Sequence, residues 1–209
     1  RAVLSALFEQ VQQMMRDNCI PAERVLGVGV VLGDRASGLV EGGAGAEKLT
    51  RLKRDLAYAV KIPIITARTA TGMLIAQRLF YGENARHAVL LRCGKAASAE
   101  VGALMNGRPY SGVHGQLGAD FSDTGETPYR RAAELTALYA QLIDPEKIYL
   151  CGGLFDEEEM LKMVSDRAVE IAGRPITILR ASADEENLHL CGCAICVERC
   201  FYLDSAQGV

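Results

Sequence analysis

The two halves of this chain carry one ordered string of segments, given once in full and once in part, and that duplication constrains the fold more than any single residue does. In the second half, β-prone runs at His87–Cys93 and Glu100–Asn106 lead to a third short run after Asn106-Gly107, a dipeptide suited to a hairpin turn. A polar loop over 112–128 separates these from a helix at about Tyr129–Leu142. Strand Lys147–Cys151, helix Asp156–Ala172, strand Pro175–Arg180 and helix Glu185–Phe201 follow, so this half reads βββαβαβα. The first half begins with an amphipathic helix over 1–18. It continues with a buried, glycine-rich strand at Val25–Gly33, a helix at about Glu47–Val60, a strand at Ile62–Ala67 and a helix at Thr69–Phe80. It matches the second half with the three leading strands removed. Two related α/β lobes around a cleft are the expected architecture, 1–85 forming a truncated first lobe and 86–185 a second, with the last helix, in 186–209, packing back on the first. Two strands alone seldom make a stable sheet, so the first lobe is expected to be completed by another chain or by dimer contacts.

Composition then narrows the function classes. Apolar residues make up 49% of the 209, aromatics 6%, and Trp is absent, so the core is aliphatic and stacking platforms for single-stranded nucleic acid are not expected. A formal net charge of −3 gives no basic footprint for duplex binding. No run of apolar residues is long enough for a membrane span. Seven cysteines, an odd number, include Cys93, Cys151, Cys193, Cys196 and Cys200 in stretches that read as buried strand or helix. A reduced, cytoplasmic protein is the simpler expectation.

Three segments resemble one known family. Val25-Leu26-Gly27-Val28-Gly29-Val30-Val31-Leu32-Gly33 is similar to a "GIGIxxPG" strand and turn. Ile143-Asp144-Pro145-Glu146-Lys147-Ile148-Tyr149-Leu150-Cys151-Gly152-Gly153 is similar to "DPexIviGGG". Leu190-Cys191-Gly192-Cys193-Ala194 resembles the "xxGAA" start of a last helix. In this order and spacing they resemble the ROK family of sugar kinases and transcriptional repressors, and the resemblance covers nearly the whole chain. It implies an actin-like ATPase fold of the sugar kinase and ribonuclease H-like type, with the first lobe short of its N-terminal hairpin.

Four sites decide what chemistry that resemblance can carry. The family's first phosphate loop lies in the leading strands that are missing here. At the second site, the family's "PVxVENDANA" segment supplies the general base and two sugar-binding Asn. The matching run Pro63–Thr71 puts Thr69 at the base position and Arg68 and Thr71 at the Asn positions. A hydroxyl cannot take the sugar's proton near neutral pH, and loss of a positioned base costs about 10²–10⁴ in rate. The Arg68 fork suits an anionic ligand, whereas Thr69 equally reads as a simple cap for the next helix. The third site, a glycine-rich phosphate clamp, matches Ala96–Gly102 with Gly94 and Lys95 just upstream. Most of its glycines are replaced and Glu100 would repel a polyphosphate; Lys95 either compensates in part or is a solvated charge. The fourth, "GExGH", matches Gly115–Ala119: Gln116 can still bond a hydroxyl, but Ala119 cannot ligate zinc, and no cysteine cluster follows. Gly152-Gly153 is either the surviving nucleotide-side turn or an ordinary strand-to-helix turn.

His189, Cys191, Cys193, Cys196 and Cys200 crowd into one apolar helical run, where buried, inert cysteines are expected rather than a metal site. Neither metal nor cofactor is expected, and no catalytic residue is assigned. The candidate ligand residues are Arg68, Thr69, Thr71 and Gln116; Gly94, Lys95, Gly152 and Gly153 are the candidates on the nucleotide side. The resemblance then implies a non-catalytic effector-binding domain of a transcriptional regulator. Its effector is a small molecule, a sugar or an acidic sugar; it is a homo-oligomer, and it touches DNA only through a segment not present here. The alternative is a hexose kinase using ATP, with Thr66, Thr69 or Asp120 replacing the lost base.

Overall fold

The computed structural model describes residues 2–25, 27–32, 54–55, 58, 62–94, 98–110, 118–120, 127–183 and 187–199. The elements are α1 (Ala2–Asp17), β1 (Val28–Leu32), β2 (Ile64–Arg68), α2 (Thr69–Phe80), β3 (Ala88–Cys93), β4 (Ser98–Met105), β5 (Arg108–Tyr110), β6 (Gly118–Asp120), α3 (Pro128–Ile143), β7 (Lys147–Cys151), α4 (Glu158–Ala172), β8 (Ile178–Arg180) and α5 (Leu188–Val197). Of the helix expected at about Glu47–Val60, Arg54, Asp55 and Tyr58 are helical and the rest lies outside the described residues. The strand β6 falls within the stretch expected to be a polar loop.

Contacts divide the chain into 1–67 with 192–209, and 68–191. The expected division at 85/86 differs because α2 packs against β3 and β4 and so belongs with the second unit. In the first unit, β1 and β2 form a two-stranded sheet. A methyl group on Gly29 of β1 would collide with the backbone of Gly192 on α5, so two of the motif glycines meet where a strand and a helix cross at backbone distance.

The second unit is built on a mixed sheet in the order β5-β4-β3-β7-β8, with β6 also pairing β4. The β4–β5 hairpin turns on Asn106 (φ 54°) and Gly107 (φ 74°), the two positive φ values that a two-residue turn of this hand requires. β3 and β7 run parallel, Ala88 opposite Lys147 through Arg92 opposite Cys151, as crossover helices demand. Strand alternation splits the sheet cleanly. Val89, Leu91, Cys93, Val101, Ala103, Ile148 and Leu150 face α3 and α4 in one aliphatic core. Each Val, Leu and Ile among them contributes about 1.5–3 kcal/mol by leaving water.

The two covering helices are delimited by local chemistry. α3 starts with Pro128, whose missing N–H costs nothing in the first turn, and ends at Asp144 in the left-handed region. Arg174 bonds the Ala140 carbonyl at 2.6 Å and pairs with Asp144 at 2.7 Å, placing positive charge at the negative end of α3. α4 stops at Gly173, also left-handed.

Candidate functional site

The opposite face of the same sheet lies under α2. Leu90, Arg92, Glu100, Gly102, Leu104, Tyr149 and Cys151 belong to it by register. α2 is buried on nearly every side, through Thr69, Ala70, Gly72, Met73, Leu74, Ile75, Ala76 and Gln77. Its first turn presses on Gly102, where an added methyl would stand 2.6 Å from the Ala70 carbonyl oxygen. That contact brings the head of α2 over the middle of β4.

A single row of register partners then crosses the sheet beneath this head: Gly118 opposite Glu100, Glu100 opposite Arg92, Arg92 opposite Cys151. Glu100 is 4% exposed and lies between two arginines, Arg68 at 3.7 Å and Arg92 at 3.6 Å. β4 begins at Ser98, so the part of the expected phosphate clamp from Ser98 to Gly102 is extended strand, laddered to β3 on one side. β6 pairs its first three residues on the other side. Glu100 does not simply project negative charge into the site, as its residue type had implied; two guanidiniums counter it, and burial is tolerable for that reason.

Thr69 is 2% exposed and is the first residue of α2. The N-cap position is Arg68, whose extended backbone starts the helix without a side-chain cap, so the capping role expected of Thr69 is not what the structure has. Arg68 instead closes β2 and turns its guanidinium toward Glu100. Thr71 is half-buried on the same first turn, and Gly94 follows β3 directly. Gly152 and Gly153 follow β7, and at Gly152 (φ 95°) a methyl would overlap the Cys93 carbonyl. Glycine is therefore required there by the packing of two strand ends. Arg68, Thr69 and Thr71 gather at one end of this row and Gly94, Gly152 and Gly153 at the other; Lys95 and Gln116 lie outside the described residues.

Arg92 and the pairing role of Glu100 escaped the sequence reasoning. Their signal was present: each is a charge at an inward position of a strand whose neighbours alternate apolar, and such charges persist only when paired. Burial pushes the Cys93 thiol up to about 12, which keeps it protonated beside this site. The cysteines of α5 do not behave as one buried set: Cys191 is buried, Cys193 exposed and Cys196 half-buried, because a 3.6-residue turn spreads them around the helix. Cys200 lies outside the described residues. Among the described residues no group of three or more His, Cys, Asp or Glu could hold a metal ion, and no helix is long and apolar enough to cross a membrane.

At the other end of the α2 face, Lys147 pairs with Glu83 at 2.6 Å. This ammonium and the Tyr149 hydroxyl hold the Glu83 carboxyl below the usual carboxylate range. Burial and the same carboxylate push Tyr149 up. Midway, the Gln77 side-chain oxygen accepts the N–H groups of Ser182 at 2.8 Å and Ala183 at 3.0 Å, tying α2 to the segment after β8.

No protein-family model and no curated protein matches the sequence. Solved structures do. A ROK hexokinase from Thermus thermophilus is similar with a TM-score of 0.71 at 16% identity, over 99% of this chain and 88% of that one. A ROK family protein from Streptococcus pneumoniae, solved in complex with sucrose, gives 0.67 at 12% identity, over 93% of this chain and 86% of that one. A ROK family transcriptional regulator, a homolog of the E. coli MLC protein, gives 0.61 at 14% identity, over 93% of this chain and 67% of that one. At these identities the likeness establishes the fold, and it is the actin-like α/β fold of ROK proteins that the three sequence segments imply.

Proposed function

We propose that this chain is a ROK-type carbohydrate-sensing domain that binds a small-molecule effector and does not transfer phosphate. The observation that carries the reading is Glu100: the strand matched to a glycine-rich phosphate clamp bears a buried carboxylate committed to Arg68 and Arg92. A polyphosphate approaching that row would meet side chains where the clamp needs bare backbone. Thr69, at the head of α2, supports the same conclusion, because a threonine hydroxyl is no general base near neutral pH.

The ligand end of the site is then the first turn of α2, with Thr71 beside Arg68. In this reading binding biases a conformational equilibrium, which is the use a regulator makes of an effector. In the same reading the protein is cytoplasmic and a homo-oligomer, the latter because a two-stranded sheet such as β1-β2 is seldom stable by itself.

A coupled ATPase assay against a panel of hexoses separates this reading from that of a hexose kinase. Background turnover with every sugar is expected, together with thermal stabilisation by at least one sugar or sugar acid. Turnover of about 1–100 per second, the ordinary range for kinases, would overturn it.

A further inference from the structure

We propose that Asn106 is a site of spontaneous deamidation, and that a hydrogen bond from the Gly107 N–H to the Arg86 carbonyl sets how fast the folded chain reacts there. Of the four asparagines, Asn18, Asn84, Asn106 and Asn187, only Asn106 precedes a glycine, so the backbone nitrogen that follows it has no side chain to shield it. Asn106 is exposed and forms the first corner of the turn between β4 and β5. The reaction needs only solvent. The Gly107 nitrogen, on losing its proton, attacks the carbonyl carbon of the Asn106 side chain. The new C–N bond closes a cyclic imide, the bond to the side-chain nitrogen breaks, and ammonia leaves with one proton in place of the one Gly107 gave up. Water then opens the imide at either carbonyl, leaving aspartate or isoaspartate.

The fold controls the first step. The Gly107 N–H donates to the Arg86 carbonyl at 2.6 Å, and a donor held by an acceptor gives up its proton less readily. That acceptor lies outside the hairpin, in the segment before β3, and it is itself fixed: the N–H groups of Arg86 and His87 both donate to the Glu146 carboxylate, at 2.9 and 3.0 Å. On the other side of the Gly107 nitrogen, the Arg78 guanidinium, on the last turn of α2, donates to the Gly107 carbonyl. Isoaspartate undoes this arrangement. It routes the main chain through the side-chain carbon and so lengthens a two-residue turn that sets Met105 opposite Arg108. Gly107 is then carried away from Arg86 and Arg78, and β5 loses its register on β4.

The test incubates the full chain in mildly alkaline buffer, folded and in guanidinium chloride, and follows all four asparagines by proteolytic digestion and mass spectrometry. Asn106 is expected to convert first in both states, and about 2- to 10-fold more slowly in the folded chain, the effect of one net hydrogen bond. Glu146→Ala, an exposed change that loosens Arg86 without touching the hairpin, should recover part of that difference in the folded chain. Arg78→Met, which releases the Gly107 carbonyl, is the second variant. Amide exchange at Arg108 and Tyr110 should quicken in the isoaspartate form. Another asparagine converting first, an Asn106 that stays intact in the folded chain, equal rates in the two states, or rates unmoved by both variants would overturn the inference.

Discussion

The sheet of the second unit shows two faces made from alternate residues of the same strands, and they have been put to different uses. Under α3 and α4 the face carries no charge: Leu91, Val101, Ile148 and Leu150 pack in an apolar cluster with Cys93 and Phe155. Under α2 the same strands carry Arg92, Glu100, Lys147 and Tyr149, and the covering helix contributes Gln77. One face holds the unit together without specifying direction. The other is a set of polar contacts, each of which fails if a partner moves, and such a face is what a responsive site requires.

Substitutions can break this contrast. The largest effects should come from the neighbouring leucines Leu90 and Leu91, buried on opposite faces. Each replaced by Ala should cost about 2–5 kcal/mol in urea denaturation. Only Leu90→Ala, on the face of the row, should also change ligand affinity measured well below its unfolding midpoint. Next, Glu100→Ala leaves two largely buried guanidiniums without this carboxylate. A loss of about 3 kcal/mol is expected, toward the lower end for broken buried pairs because both arginines keep some solvent contact. A loss near zero by the same measurement would mean that the row is solvated and the contrast between faces unreal.

Smaller effects sharpen it. Gln77→Leu removes the acceptor for the amides of Ser182 and Ala183, and should lower stability by about 1–3 kcal/mol, with faster amide exchange at those two residues as the specific readout. Lys147→Met should cost about 0–1 kcal/mol at neutral pH, since the pair is partly exposed. Its signature is pH dependence. The Glu83 carboxyl lies below its ordinary value of 4.5 in the folded chain, so its contribution is present above about pH 4.5 and is lost as pH falls through the lower folded value. The variant's acid denaturation curve should be flatter over that window; coincident curves would show that Lys147 does not hold Glu83.

What the sequence revealed and what it concealed follow the same division. β7 and α2 have the predicted bounds, and β3 begins one residue later, because each is a local pattern, an apolar run or a helical period bounded by turn residues. The Asn106-Gly107 hairpin is likewise local chemistry. β6 escaped because Gly118-Ala119-Asp120 has no strand preference of its own; it is a strand only because β4 offers it an edge. Glu100 was visible as a charge in the wrong place for a phosphate clamp, but its partners arrive from β2 and β3, and only strand register reveals that Arg92 stands directly opposite. The Gly29–Gly192 crossing joins two motifs that sequence reasoning treats separately.

That crossing also orders events in time. The second unit is one uninterrupted stretch, 68–191, whereas the first needs residues from both sides of it. On a ribosome that releases the chain from its N-terminus, the second unit can reach its native contacts while β1 still waits for α5. Until Gly192 emerges, β1 lacks the helix that crosses it at Gly29. The first unit is therefore the last to mature and the one most in need of protection during synthesis.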